Sequence, residues 1–222
     1  MLLAVDTSTQ TIGLALYDGS EVLGEMHWQT KTHHTVELAP AVDELLKRCG
    51  VKPAELKVVA CALGPGSFTS LRIGLAFAKG LALSLKIPMI GVPTFDFQVA
   101  SQPVKDLPLA AVLPAGRGRL AVGWYHAEDG HWQAGEEPTI MTAEDLSAQI
   151  NQPTLITGEF DAEERQTLSR KWKNALLASP AQCVRHPGML AELAWNRFKA
   201  GETDEPVSLA PIYLHVNEAI PD

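Results

Sequence analysis

Residues 63–80 read LGPGSFTSLRIGLAFAKG, and the reading of this stretch decides the fold. Two glycines flank a proline, hydroxyls follow, and a helix begins. As a nucleotide loop it fails. A Walker loop needs Gly-x4-Gly-Lys-Ser/Thr, but the fifth residue after Gly64 is Thr69, the fifth after Gly66 is Leu71, and no lysine follows. The dinucleotide pattern GxGxxG breaks at Thr69, and Pro65 removes a backbone donor that a phosphate would use. What remains is a strand-to-helix turn with Ser67 as the expected N-cap, a weak anion site at best.

The helix that follows carries the information. Between Phe68 and Lys86 there is no acid, and before Lys86 the charges are Arg72 and Lys79, on one stripe with Ala76 and Leu83. The remaining positions form an apolar arc of roughly 200°, about twice what a one-sided surface helix needs. Gly74, Ala78 and Ala82 permit close helix approach. Either this is a deeply buried core helix, or a second surface covers it. The preceding helix has two adjacent apolar stripes, Val36, Ala39, Val42, Leu46 and Leu38, Ala41, Leu45. Together the two helices predict a helical interface. Pro40 either begins or kinks the first of them, and Gly50 ends it.

Working outward, strands are expected over 2–9, 11–17 and 21–28, with Asp18-Gly19 as a hairpin turn. Buried strands follow at 57–63 and 87–92, then a short helix to about Ala100. The order is β-β-β-α-β-α. The second half repeats it in reduced form. Strands are expected at 107–115 and 118–126, with a weaker third at 130–140. A helix capped by Thr142, a strand at 153–159 and a helix at 161–172 come next. A short strand at 174–178, a closing helix at 188–200 and an extended tail at 207–216 complete it. This is a duplicated α/β fold with a mixed sheet in each half. The hairpin-first order excludes a Rossmann sheet, which begins β-α-β. Two lobes are predicted, residues 1–103 and 104–222, the second reduced.

The bulk numbers bound the function. A chain of 222 residues with 46% apolar content supports a sizeable core, and a net charge of −8 speaks against gripping nucleic acid alone. Arg117 and Arg119 are the only local basic cluster; Arg165, Arg170, Lys171 and Lys173 read as a solvated helix face. The opening MLLAVDTST has no basic leader and no apolar run long enough for a signal peptide or membrane span. Cys49, Cys61 and Cys183 are widely spaced, so a reduced cytoplasmic protein is expected.

Few residues carry chemistry. Asp6-Thr7-Ser8-Thr9 puts a carboxylate and hydroxyls at the end of the first strand, fit for a metal-bound phosphate or equally for Asx and Ser/Thr turns. The seven histidines form no HxxxH or HExxH pair, so no metal site is assigned. His33 and His34 read as solvated or capping. Ser67 lacks the G-x-S-x-G elbow, and no catalytic residue is assigned.

LLAVDTST (2–9), LGPGSFTSLRIGLAFAKGLA (63–82) and APIYL (210–214) together resemble the bacterial TsaB (YeaZ) family, most closely over about residues 1–95. The resemblance implies a duplicated actin/sugar-kinase/Hsp70-like (ASKHA, RNase H-like) fold of βββαβα lobes. It implies a role in making threonylcarbamoyladenosine at position 37 of tRNAs reading codons that begin with A. The chain would be a non-catalytic subunit pairing with a TsaD-like catalytic subunit, joined by a TsaE-like ATPase. Alone it would form a homodimer, and it would meet tRNA only through the complex. The catalytic relatives carry HxxxH two residues after a valine matching Val92; here Thr94 and Gln98 stand there, and the chain has no Gly-Gly pair for an adenosine loop. No resident cofactor is therefore expected, and a nucleotide only at the partner interface.

The implied partner face comprises His33, His34, Glu37, Leu38, Ala41, Leu45, Phe68, Thr69, Arg72, Ile73, Leu75, Ala76 and Lys79. Arg72 is expected at its rim, with Leu75 and Ala76 in its seam. Asp6, Thr7, Ser8, Gly66 and Ser67 form a vestigial phosphate-binding set. There are departures: Ser70 replaces a glycine, Pro114-Ala115-Gly116-Arg117 replaces an Asp-Ala-Arg turn, and His215 replaces an arginine. The rival readings are an ATP-dependent small-molecule kinase of the same fold, for which only Asp6–Thr9 survives, and a metallopeptidase, for which HxxxH is missing.

Overall fold

The computed structural model describes residues 1–30, 33–171 and 173–214. The chain divides into two units. The first is Met1–Ser101 with Arg185–Ile212; the second is Gln102–Val184, to which Tyr213 and Leu214 also belong.

In the first unit β1 (Leu2–Asp6), β2 (Thr11–Tyr17) and β3 (Val22–Gln29) form an antiparallel meander. α1 (His34–Arg48) returns the chain to β4 (Val58–Ala62), parallel to β1 with Leu2 opposite Val58. α2 (Phe68–Leu85) leads to β5 (Met89–Val92), and α3 (Thr94–Ala100) follows. The sheet order is β3-β2-β1-β4-β5. The central strands β1 and β4 are buried at every position because both faces of the sheet are covered, and apolar at all of them but Asp6. On one face Leu3, Val5, Leu14 and Leu16 meet Leu38, Ala41, Val42 and Leu45 of α1, while Val59, Cys61 and Met89 meet Leu75, Ala78 and Ala82 of α2.

α1 starts at His34 and carries Pro40 inside it, so the proline does not begin the helix. It ends as expected: Gly50 sits at φ +67, and the Val51 N–H bonds back to the Leu46 carbonyl at 2.9 Å.

The opposite face holds the main departure from expectation. The closing helix, α6 (Pro187–Lys199), falls in the predicted 104–222 lobe but packs in the first unit. Its stripe Leu190, Ala191 and Ala194 is fully buried against Leu2, Ala4, Ala15, Val58 and Ala60. Without it the inward side chains of β1 and β4 on that face would meet water.

The second unit repeats the order. β6 (Leu109–Gly116) and β7 (Arg119–Glu128) are antiparallel, and the weak third strand is split into β8 (His131–Ala134) and β9 (Thr139–Met141), both paired to β7. α4 (Ala143–Gln149), β10 (Thr154–Gly158), α5 (Ala162–Ser169) and β11 (Ala175–Leu177) complete it, in the order β11-β10-β6-β7-β8. Thr142 caps α4 in a reciprocal bond with Asp145, and Asp161 caps α5 in the same way with Glu164. The tail from Val207 is irregular rather than extended, and its expected end at 215–216, His215 included, lies outside the described residues.

Candidate functional site

The loop after β1 and the start of α2 lie against each other. Asp6 is 1% exposed; its Oδ1 accepts the Ser8 N–H at 2.8 Å, and its Oδ2 accepts Nε–H of Arg185 at 2.9 Å. Arg185, 3% exposed, also donates from Nη2 to Thr9 Oγ1 at 2.9 Å. Thr7 donates its hydroxyl to the Ser70 carbonyl at 2.8 Å. Ser8 Oγ pairs with Thr94 Oγ1 at 2.8 Å, and the Ser8 carbonyl accepts the Ser67 N–H at 2.7 Å.

The glycines explain the closeness: a Cβ at Gly66 would collide with the Ser8 carbonyl, and one at Gly74 with Thr7 Oγ1. The expected phosphate set is therefore brought together, but its groups are turned onto one another. Ser67 stands at the N-cap position of α2 without making the expected capping bond; its Oγ accepts from Ser70 Oγ at 3.1 Å instead. Ser70, 7% exposed, thus points along the helix end.

The two helices present a second candidate surface. Of the residues expected at a partner face, Leu38, Ala41, Leu45 and Leu75 lie in the chain's own core, because their stripes face the sheet. His34, expected solvated or capping, is also buried, with Nε2 2.9 Å from the Thr9 carbonyl oxygen. His33 is exposed at the helix start and makes no side-chain cap. Glu37 accepts from Trp28 Nε1 at 2.6 Å and Thr30 Oγ1 at 2.8 Å, which ties α1 to β3 and holds its carboxyl below the ordinary range.

The outward residues of α2 are Phe68, Thr69, Arg72, Ala76, Gly80, Leu83 and Ser84, with Ile73 and Lys79 half-buried at the sides. Phe68 is 53% exposed, Leu83 62%, and Val36 of the neighbouring α1 66%. The Arg72 guanidinium lies 3.7 Å over the Phe68 ring, so this charge sits on an aromatic face. By length and composition α2 is apolar enough to cross a bilayer, yet its inward stripe is spent on the sheet. The outward half of α1 is different: Asp43–Lys47 and Glu44–Arg48 pairs at 2.6 Å make it a solvated surface. On the two helices the exposed large apolar side chains are Val36 of α1 and Phe68 and Leu83 of α2.

The comparisons with known proteins decide the family. A family model described as TsaD, tRNA N6-adenosine threonylcarbamoyltransferase, matches residues 23–210. The tRNA threonylcarbamoyladenosine biosynthesis protein TsaB of Bacillus subtilis (strain 168) is 31% identical over 98% of this chain and 95% of its own length. The chain belongs to the TsaB family. Family membership places it in tRNA threonylcarbamoyladenosine biosynthesis. A crystal structure from Pseudomonas aeruginosa, titled as an uncharacterized protein with similarity to peptidase YEAZ, is 25% identical with a TM-score of 0.78, covering 96% of this chain and 99% of that one. The ROK hexokinase of Thermus thermophilus, 10% identical, matches 89% of this chain and 99% of its own at a TM-score of 0.50. That likeness concerns the fold alone, and the fold of this TsaB-family chain is the duplicated actin/sugar-kinase/Hsp70-like one.

Thr94 and Gln98 stand one turn apart on α3, both with no exposure, and Thr94 Oγ1 accepts the Gly64 N–H at 3.0 Å. Among the described residues no three His, Cys, Asp or Glu side chains converge as a metal cluster would. The residue that sequence reasoning missed is Arg185. It lies 179 positions from Asp6, and nothing in the spacing of CVRHPGML links the two. The one signal available is a lone arginine just ahead of an apolar helix.

Proposed function

We propose that this chain is a non-catalytic subunit that activates a TsaD-like catalytic subunit, which forms N6-threonylcarbamoyladenosine at position 37 of tRNAs reading codons that begin with A. The observation that carries this reading is the exposed stripe of α2, where Phe68, Arg72, Ala76 and Leu83 face outward on a helix with no acidic residue. A stable pairing removes about 1,600 Å² from water. This stripe with Val36 supplies an apolar centre, and Arg72 and the α1 charges supply a polar rim. Leu38, Ala41, Leu45 and Leu75 take part from beneath, by holding the two helices on the sheet.

Catalytic silence is supported by the loop after β1. Asp6 is paired with Arg185, and the Thr7 and Ser8 hydroxyls are spent on internal partners. We assign no resident cofactor, and a nucleotide only where chain and partner meet. A TsaE-like ATPase joins the pair. The same α2 face serves self-association when the partner is absent. The net charge of −8 fits a chain that meets tRNA through the complex, and three free thiols fit a reduced cytoplasm.

The test is co-elution. Ala76→Arg on the exposed side of α2 is expected to abolish co-elution with the TsaD-like subunit while leaving the melting temperature nearly unchanged. Undiminished co-elution would remove α2 from the interface. Calorimetry of the isolated chain with Mg-ATP is expected to show no binding; tight binding would favour the kinase.

A further inference from the structure

The two edges of the first sheet are treated differently. At the β5 edge the chain seals its own backbone. The Gly91 N–H donates to Asp204 Oδ2 at 2.8 Å, Arg197 Nη1 donates to the Gly91 carbonyl at 2.7 Å, and the Asp204 N–H donates to the Met89 carbonyl at 2.9 Å. An edge blocked in this way cannot template a further strand. The opposite edge is β3, eight residues long, with no proline and no lysine. Among the described residues no strand pairs with its outer side. Its one guard is a bulge, where Leu23 is left over between the Leu16–Gly24 and Tyr17–Val22 pairs.

The backbone of β3 has a defined outward set. The Thr30 N–H donates to the Gln10 carbonyl at 2.8 Å, in register with the Thr11–Gln29 pair. By the alternation of an antiparallel ladder, Trp28, Met26 and Gly24 turn their backbone groups toward β2, and Gln29, His27 and Glu25 turn theirs outward. Glu25 is exposed as a residue although its side chain is only 25% exposed, so its main chain contributes to the accessible area.

We propose that β3 pairs antiparallel with β3 of a second copy of this chain, in the register that sets Met26 opposite Met26. That register brings the outward backbone groups of Glu25 and His27 together twice across the two-fold axis. It also sets each Glu25 carboxylate beside the partner copy's imidazole at position 27, a hydrogen-bond acceptor beside a ring N–H donor on each side. Glu25 already accepts from His186 Nδ1 at 2.9 Å and from the Gly188 N–H at 3.2 Å, which fixes the carboxylate in place and leaves lone pairs for a further donor. Gly24 falls opposite Trp28 and offers no side chain to obstruct the ring. Shifting the centre to residue 25 would set Glu25 against Glu25, and like charges directly opposite are destabilising. The Leu23 bulge stops pairing beyond Gly24. This surface is separate from the α2 stripe.

The test uses the full chain carrying Ala76→Arg, so that the α2 face is blocked. Met26→Cys with Cys49→Ser is expected to give a disulfide-linked dimer under mild oxidation, since non-hydrogen-bonded antiparallel partners have Cα atoms about 4.5 Å apart, within disulfide range. Cross-linking no faster than from a cysteine at the exposed turn residue Asp129 would overturn the proposal. In sedimentation equilibrium His27→Glu is expected to weaken self-association about tenfold or more. His27→Pro, which removes an outward N–H only, is expected to abolish it with the circular dichroism unchanged. A His27→Glu chain that associates as before, or an unsubstituted β3 that stays monomeric, would also overturn it, and His27→Glu decides if the proline variant unfolds. Neither His27 variant is expected to alter co-elution with the TsaD-like subunit in the Ala76 background, so failure here and failure of the α2 reading are read separately.

Discussion

Asp6 and Arg185 form a buried ion pair at 2.9 Å. Both side chains are at most 2% exposed; Asp6 also accepts from the Ser8 N–H and Arg185 donates to Thr9 Oγ1. Removing one partner strands a charge in the core, which costs about 3–5 kcal/mol. Arg185→Met is therefore expected to lower stability by that amount in urea denaturation. The double variant Asp6→Asn with Arg185→Met is expected to recover most of it. Glu37 gives a pH-dependent counterpart. Its carboxyl is held low by Trp28 and Thr30, so the stabilisation it brings is present above the ordinary carboxylate range and is lost as pH falls through its depressed value. Glu37→Gln is expected to be less stable than the parent chain at neutral pH, with the gap closing in acid, as denaturant midpoints across pH would record. At this scale the sequence was only partly legible. Asp6-Thr7-Ser8-Thr9 stood out as a carboxylate with hydroxyls, but the choice between phosphate site and turn depended on Arg185 and on the close approach at Gly66 and Gly74. Those are facts of tertiary contact, which no local pattern encodes.

At the scale of elements, periodicity told which faces are apolar but not what lies against them. β2 was read with its true limits because an apolar run between Gln10 and the Asp18-Gly19 turn leaves no choice. The wide apolar arc of α2 was read as needing a second surface. The sheet takes Leu75, Ala78 and Ala82, α1 lies alongside, and the Phe68–Leu83 stripe is what remains. The stripe Leu38, Ala41, Leu45 was assigned outward and faces inward, since an amphipathic helix shows the same pattern whichever body covers it. The destination of α6 was missed for the same reason: Leu190, Ala191 and Ala194 would suit either sheet. One consequence is testable. A fragment of Met1–Ser101 alone loses Leu190, Ala191 and Ala194 from one face of its sheet and is expected to melt without a cooperative transition in circular dichroism. Joining residues 185–212 to it through a flexible linker is expected to restore the transition. Cooperative folding of the short fragment would show that α6 is dispensable to the sheet.

At the scale of the molecule, the fold is the duplicated actin/sugar-kinase/Hsp70-like one, and the loop after β1 is closed by hydrogen bonds and an ion pair. The outward stripe of α2 exposes Phe68 and Leu83, and the account rests on a partner using it. The most direct measurement is the initial rate of threonylcarbamoyl transfer to tRNA by the TsaD-like subunit, with its ATPase present, titrated with this chain. The parent chain is expected to raise the rate saturably and to show none by itself, while folded Ala76→Arg is expected to give no activation at matched concentration. Activation by Ala76→Arg equal to that of the parent, or transfer by the chain alone, would contradict the account.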